Sequence, residues 1–404
     1  MALESVIIAG GGMAGFTAAR QLREKGFTGK LVIVDPEGLP YDRPPLSKDY
    51  LLAKRDATQI LLSAAEWFTE NNVEVITAKV VELDVDAPSV VLSDGQELNA
   101  DKVVLATGGT ARRLPIPGGQ LPTVLELRTM EDADHLRSVL GEGVRLAIVG
   151  AGLIGAEVAS SALQLGADVT LIDPVDPPLV PAVGEVLATR LHRMHGENGV
   201  EVVTGVPTEI TVNEAGVHTI ELQDSGKVEA DVVLVGIGIV ADTALASASG
   251  LDTDNGILVD ESQRTSHPNV YAIGDTARTR LPDGTLLRRA EHWEHAMNTG
   301  ATVAAALLGQ DLPSHGTSWF WSDRHGVHVE GVGSMLGDGT LVTRELDGIP
   351  VAAFRIDDQG LLAGCAAIDG GLMVRAARRI IDKQKTVNAE QLADPSIDLK
   401  KLAR

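Results

Sequence analysis

Two glycine-rich turns of one design lie 140 residues apart, IIAGGGMAG with Gly10, Gly12 and Gly15, and LAIVGAGLIG with Gly150, Gly152 and Gly155. In each copy an apolar run (Val6 to Ala9, Leu146 to Val149) reads as a buried strand, and the stretch after the turn reads as a helix closed by Gly26 or Gly166. The first glycine permits the tight turn, the second lets the backbone approach a pyrophosphate, and the third lets helix pack on strand. A second apolar strand follows and ends in an acid, LVIVD at Asp35, 25 residues past Gly10, and VTLID at Asp173, 23 past Gly150. Carboxylates there are placed to accept hydrogen bonds from a ribose 2′-hydroxyl. One such turn is weakly diagnostic, but two in matched surroundings predict two dinucleotides bound at once.

The self-similarity extends further. VVLSDGQEL (Val90 to Leu98) and IELQDSGKV (Ile220 to Val228) are alternating strands around an Asp-Gly or Ser-Gly turn, the signal of a hairpin. Each leads to an acid and an apolar strand ending at glycine, DKVVLATGG from Asp101 and DVVLVGIG from Asp231, 130 residues apart. Two copies of one nucleotide-binding unit are the simplest reading. Beyond the second copy, TSHPNVYAIGD (Thr265 to Asp275) supplies another apolar strand, read as the closing strand of the first domain with the second domain inserted into it. RRLPIPGG (Arg112 to Gly119) reads as the crossing point and ALASASG (Ala244 to Gly250) as a linker near the return. From Thr317 the texture changes to SWFWSD, short strands around Gly331, Gly339 and Gly360, and the basic helix GLMVRAARRIIDKQK, which together predict an α+β domain. The expected division is 1–112 with 241–316, then 113–240, then 317–404.

Composition narrows the function. With 404 residues there is room for two or three domains. The net charge of −22 disfavours nucleic acid or an anionic membrane as partner, because like charges repel throughout the approach. No apolar stretch approaches the roughly 18 residues of a membrane span, and the opening MALESVIIAGG carries no basic leader; a cytoplasmic protein is expected. The single cysteine, Cys365, rules out an internal disulfide and a redox-active cysteine pair, and reads as a small buried apolar residue. His292, His295 and His325 have no Cys or acid at ligand spacing, so no metal site is expected.

With these motifs in place, the chain resembles the FAD-dependent pyridine-nucleotide oxidoreductases of glutathione-reductase type, and among them the oxygenase-coupled NADH:ferredoxin reductases. The resemblance rests on IIAGGGMAG, PYDRPPLSK (Pro40 to Lys48), VVLATGG, IVGAGLIGAE ending at Glu157, VYAIGDTA, RAEHWEHAMNTG and FWSD (Phe320 to Asp323), and spans essentially the whole chain. It implies an α/β fold of two Rossmann-like dinucleotide-binding domains plus a C-terminal α+β domain, with FAD at the first turn and NADH at the second. The cofactor contacts it implies are Gly10, Gly12, Ala14, Gly15, Asp35, Arg43, Lys48, Val81, Ala106, Thr107, Gly108, Arg128, Gly150, Gly152, Ile154, Gly155, Glu157, Asp173, Gly238, Gly274 and Asp275, with Trp293 and Trp321 beside the flavin ring.

The same resemblance implies that Lys48 and Glu157 are catalytic, the lysine as a cation favouring reduced flavin and the glutamate orienting lysine and nicotinamide. Flavin accepts a hydride and releases electrons singly, which suits NADH as donor and, as the resemblance implies, a 2Fe-2S ferredoxin serving a cytochrome P450 or Rieske-type oxygenase as acceptor. Asp173 repels a 2′-phosphate and the next basic residue is Arg190, beyond the loop, so NADH is expected over NADPH. Ferredoxin docking is expected near Arg288, Arg289, Arg375, Arg378 and Arg379. Thiol-dependent disulfide reductases and peroxidases need a cysteine soon after Asp35, where this chain has Pro44, Leu46 and Ser47. Rubredoxin reductase, monodehydroascorbate reductase and a redox-sensing binding protein similar to apoptosis-inducing factor stay open at this point.

Overall fold

The computed structural model describes residues 3–224 and 226–403, and they divide into two compact units. The first comprises Met1–Arg43, Arg55–Thr110 and Ile239–His315. At its centre is a five-stranded parallel sheet in the order Val270–Ala272, Lys102–Leu105, Ser5–Ala9, Lys30–Asp35, Val73–Thr77. Its inner strands are near-continuous Val, Ile and Leu, as a sheet covered on both faces requires, and Val6, Ile8, Ile33, Val103 and Val104 are all buried. Helix Met13–Glu24 covers one face and crosses helix Trp293–Leu307 so closely that a Cβ on Gly300 would stand 2.6 Å from the Ala14 carbonyl oxygen. The antiparallel strands Val80–Asp84, Ser89–Leu92 and Glu97–Asn99 cover the other, packing Val90, Leu92 and Leu98 against Ile7, Val32 and Val103.

The expected hairpin at 90–98 forms here, turned by Gly95 at φ +88°, and Val270–Ala272 adds beside Lys102–Leu105, so the late Gly-Asp segment does complete the first sheet. ALASASG, by contrast, is not a linker. Ala244–Ala248 is a helix with Ala246 fully buried, because alanine has the highest helix propensity. Gly250 at φ +76° ends it, with the Leu251 amide returning to the Ala246 carbonyl at 3.0 Å.

The second unit comprises Pro44–Lys54, Ala111–Gly238 and Gly316–Arg404. It repeats the plan, with a parallel sheet in the order Glu201–Thr204, Asp168–Asp173, Arg145–Val149, Val232–Val235, Val124–Leu125 and a meander of Val206–Val212, His218–Gln223 and Gly226–Ala230. Ser225, in the second expected hairpin turn, lies outside the described residues. The copies agree bond for bond: Gly10 N–H donates to Val34 and Gly150 N–H to Ile172, both at 2.8 Å, while Ala106 N–H donates to Ala9 and Gly236 N–H to Val149, again at 2.8 Å. Even the acid before the fourth strand recurs, with Asp101 accepting the Glu4 amide at 2.7 Å and Asp231 the Arg145 amide at 3.0 Å.

Also in this unit, residues from Trp319 build a five-stranded antiparallel sheet in the order Trp319–Arg324, Val327–Gly333, Leu362–Ile368, Ile349–Ile356, Thr340–Leu346. Helix Gly371–Asp382 packs on it through Val374, Ala377 and Ile380. Arg344, buried under the final turns, donates to the carbonyls of Leu392, Ile397 and Gln391 at 2.7, 3.1 and 3.1 Å. The proline-led turn Pro44–Ser47 is tied in by Leu51, which joins Leu136, Leu146 and Ile148 in one core. Among the described residues no helix is long and apolar enough to cross a membrane.

Candidate functional site

The two turns can be probed by asking what a side chain would meet at each glycine. At Gly10, φ +115°, an added Cβ would lie 2.2 Å from the Ala106 carbonyl oxygen, and at Gly15 one would lie 1.9 Å from the Gly10 carbonyl oxygen. The second turn repeats this, with 2.5 Å from Gly150 to the Gly236 oxygen and 1.9 Å from Gly155 to the Gly150 oxygen. The fold therefore compels the first and third glycines. At Gly12 and Gly152 a Cβ meets no protein atom within 4 Å, so the middle glycine is required by nothing in the protein itself. Helices Met13–Glu24 and Leu153–Gln164 start directly after these open glycines, and neither N-terminus carries a side-chain cap. Uncapped amides and the positive dipole end face that space, a cradle for an anion. Ala14 is buried under the first turn, whereas Ile154, its counterpart, is 44% exposed at the mouth of the second.

Each strand-end acid is pinned to its own turn. Asp35 accepts the Gly11 amide at 2.5 Å and the Glu37 amide at 2.8 Å; Asp173 accepts the Ala151 amide at 2.7 Å and the Val175 amide at 2.9 Å. Each carboxylate oxygen has a further lone pair, so both acids keep acceptor capacity for ribose hydroxyls. Burial raises the Asp35 pKa from its ordinary value, the two amides pulling it the other way. Arg190 does not compensate Asp173, since its guanidinium donates to the Pro350 carbonyl. The residues present thus fit two dinucleotide diphosphates, one in each unit.

Thr107 donates to the Asp242 carbonyl at 2.8 Å and Gly108 turns at φ +65°. Gly274, φ +70°, donates its amide to Thr299 at 3.0 Å, and half-buried Asp275 follows it. Arg43 pairs with Glu37 at 2.7 Å and lies over the Tyr41 ring. Trp293 donates its indole N–H to Asp42 at 2.9 Å. Val81, on strand Val80–Asp84, is 47% exposed. In the second unit Gly238 turns at φ +96°, and Arg128 precedes the capped helix Met130–Val139 with its amide on Asp132 at 2.9 Å. Trp321 stacks on Trp319 with ring centres 4.9 Å apart.

Lys48 and Glu157 meet. The Glu157 carboxylate is 3% exposed and takes four donors: Ser47 Oγ at 2.5 Å and Lys48 Nζ at 2.8 Å on Oε2, Ser322 Oγ at 2.7 Å and the Asp323 amide at 3.2 Å on Oε1. Sequence reasoning named the pair but missed Ser47 and Ser322 as its supports, although both lie in quoted motifs. It also missed the layer behind them. Arg324, buried, donates to Ser322 Oγ at 2.8 Å, and the His325 amide donates to Ser160 Oγ at 2.8 Å while its ring meets that of buried His195 at 2.9 Å. Burial, with neighbouring cationic groups adding to it, pushes His195 down to about 3 and His325 to about 4, so both imidazoles are neutral at pH 7.

One expected docking residue is spent internally. The Arg289 side chain is only 4% exposed, pairs with Glu291 at 2.7 Å and donates to the carbonyls of Asp275 and Asn255. Arg288 is exposed, as are Arg375 and Arg379, while Arg378 is half-buried with its guanidinium against Gly316. Cys365 is fully buried, which pushes its thiol pKa up. No group of three or more His, Cys, Asp or Glu side chains among the described residues is arranged to hold a metal ion.

This pairing of two phosphate cradles with parallel sheets defines the class, and the chain belongs to the pyridine nucleotide-disulphide oxidoreductase family, whose model matches residues 4–300; a reductase C-terminal model matches residues 319–403. The family uses FAD and NAD(H). More narrowly, the relatives are ferredoxin reductases of oxygenase systems. The chain is 37% identical over 401 residues to rhodocoxin reductase of Rhodococcus erythropolis, covering 98% of this chain and 93% of that one. It is 35% identical over 402 residues to the ferredoxin–NAD(+) reductase component of the p-cumate 2,3-dioxygenase system of Pseudomonas putida, covering 99% of each. Among solved structures it is similar to the reductase of the covalent putidaredoxin reductase–putidaredoxin complex, with a TM-score of 0.92, 30% identity, and coverage of 100% of this chain and 98% of that chain.

Proposed function

We propose that this chain is an NADH-dependent ferredoxin reductase that holds FAD at the first turn and NADH at the second and passes electrons singly to a 2Fe-2S ferredoxin. The observation that carries the reading is the duplicated cradle, open above Gly12 and again above Gly152, in a chain whose single cysteine is buried in strand Leu362–Ile368. Without an accessible thiol there is no disulfide route for the electrons. Bound FAD supplies acceptance of two electrons as hydride and their release one at a time. The protein's share is electrostatic and geometric. Helix N-termini hold the diphosphates, Asp35 and Asp173 accept ribose hydroxyls, and Lys48, charge-balanced by Glu157, is the catalytic cation. Reconstitution with FAD and a panel of 2Fe-2S ferredoxins tests this by following one-electron ferredoxin reduction under NADH. A protein that takes up no flavin, or that reduces none of the ferredoxins, overturns it.

Asp173 is the choice-setting acid for the nicotinamide nucleotide. Asp173→Ala is expected to lower the ratio of kcat/KM for NADH over NADPH by roughly tenfold, about 1.4 kcal/mol, by removing the charge that repels a 2′-phosphate. An unchanged ratio removes Asp173 from that role.

The ferredoxin docks on the exposed arginines. Arg375 and Arg379 sit one turn apart on helix Gly371–Asp382, beside Leu372, which is 60% exposed. That local positive face is what an acidic partner needs on a chain of net charge −22. Reversing both charges is expected to raise the KM for ferredoxin roughly tenfold at low salt, with the difference shrinking as the Debye length falls from about 30 Å at 0.01 M to about 8 Å at 0.15 M salt. A KM indifferent to the reversal dismisses this face.

A further inference from the structure

The Lys48–Glu157 pair is backed by a second cation that no motif announces. Arg324 is buried at the end of strand Trp319–Arg324, and its Nε has no hydrogen-bond partner among the described residues. Its Nη2 donates to Ser322 Oγ at 2.8 Å, and Ser322 Oγ lies 2.7 Å from Glu157 Oε1. A guanidinium only donates. Ser322 must therefore accept from Arg324 and turn its own proton toward Glu157, which fixes the direction of the bond. The result is a polarised line, Arg324 to Ser322 to Glu157, met from the other side by Lys48. It carries two cations and one anion.

The nearest further carboxylates, Asp323 and Glu330, share one imidazole. Asp323 is engaged by His328 at 2.5 Å, and the far nitrogen of His328 meets Glu330 at 2.9 Å. Burial pushes the Arg324 guanidinium down to about 10, with Glu157 and Asp323 pulling it back up, so it remains charged at neutral pH. His325 and His195, behind it, are neutral.

We propose that Arg324, acting through Ser322, is a positioning residue that locks the Glu157 carboxylate and sets how firmly it holds the Lys48 ammonium. Glu157 Oε1 is satisfied by Ser322 and the Asp323 amide, which leaves Oε2 for Ser47 and Lys48. Removing the Ser322 hydroxyl makes the carboxylate more basic, and removing the Arg324 charge takes away a competing cation. Both changes tighten Glu157 on the Lys48 proton. This inference rests on the functional reading above for its consequence in catalysis, though not for its geometry.

The test is competitive acetylation of the FAD-loaded protein with acetic anhydride at pH 9, reading Lys48 against the other lysines by mass spectrometry. Lys48 is 18% exposed in the protein alone, so labelling is read both with and without FAD. Ser322→Ala and Arg324→Met are expected to slow Lys48 acetylation by roughly three- to tenfold, while Ser322→Thr, which keeps the hydroxyl, labels at the unaltered rate. A merely structural contribution would loosen the turn and speed labelling instead. Labelling in Ser322→Ala that is equal to or faster than in the unaltered protein overturns the proposal. Flavin reduction by NADH is followed in parallel and should slow in Ser322→Ala and recover in Ser322→Thr. Should NADH fail to reduce even the unaltered protein, the functional reading falls while the labelling still decides the relay.

Discussion

Alanine at Gly155 and alanine at Gly152 are expected to fail in opposite ways, although the two positions are three residues apart in one turn. At Gly155 the new methyl carbon would stand 1.9 Å from the Gly150 carbonyl oxygen. That oxygen belongs to backbone fixed by the Gly150 N–H bond to Ile172 at 2.8 Å, so the clash cannot be relieved by a rotamer change. Overpacking typically costs about 1–3 kcal/mol, and an unyielding backbone wall puts this site at the upper end. Gly155→Ala should therefore lower the unfolding midpoint of the protein whether or not a nucleotide is present. Gly152 has φ −67° and ψ −163°, a conformation alanine adopts without strain, and its methyl meets no protein atom within 4 Å. Gly152→Ala should fold as the unaltered protein does and lose only affinity for NADH, by roughly 10- to 100-fold, the usual effect of one misplaced methyl in a binding pocket. Thermal unfolding without nucleotide, set beside NADH titration, separates the two. Unaltered NADH affinity in Gly152→Ala would mean that the space above Gly152 does not hold the diphosphate, and unaltered melting in Gly155→Ala would remove the clash argument.

That contrast also marks which features are legible in the sequence alone. The turns, the acids Asp35 and Asp173, the hairpin at 90–98 and the late strand at 270–272 were legible because each is a local signal: glycine where only glycine fits, alternation where one face is buried, an apolar run where both are. The alanine-rich stretch 244–250 misled because small residues and glycine serve linkers and short helices alike, and only burial of Ala246 separates the two. The candidate site was legible as a pair and not as a network. Lys48 and Glu157 stand in recognisable motifs, but Ser322 and Arg324 reach Glu157 from 165 residues away or more in sequence, and no spacing rule encodes a hydrogen bond across that distance. Arg289 shows the converse. Its charge promised a surface role, yet the fold turns it inward onto Glu291 and two carbonyls. Sequence counts charges, and only packing says which of them remain available.

The largest catalytic effect is expected at Lys48. Methionine there keeps most of the stem and its packing while deleting the ammonium. The pair it breaks has a nearly fully buried anion, 3% exposed, and a cation that is 18% exposed. Removing one partner of a buried ion pair costs about 3–5 kcal/mol when it strands the other charge. Here Glu157 retains the Ser47 and Ser322 hydroxyls, the Asp323 amide and the nearby Arg324 charge, so the loss of stability should fall below that range and the protein should fold and take up FAD. Chemistry is another matter. Of the cations around Glu157, Arg324 is fully committed to the interior and Lys48 alone is partly exposed. Deleting one preorganised electrostatic donor typically costs on the order of 10²- to 10³-fold in rate. Flavin reduction by NADH in Lys48→Met should fall by that much with NADH affinity little altered, and Lys48→Arg, which restores the charge on a bulkier head, should recover part of it. Pairing Lys48→Met with Glu157→Gln sharpens the measurement. If the two residues act as one unit, the double variant should be no slower than Lys48→Met alone, since the carboxylate works through the ammonium it holds. Stopped-flow flavin bleaching in all four proteins decides this, and reduction of Lys48→Met as fast as in the unaltered protein would remove Lys48 from the chemistry.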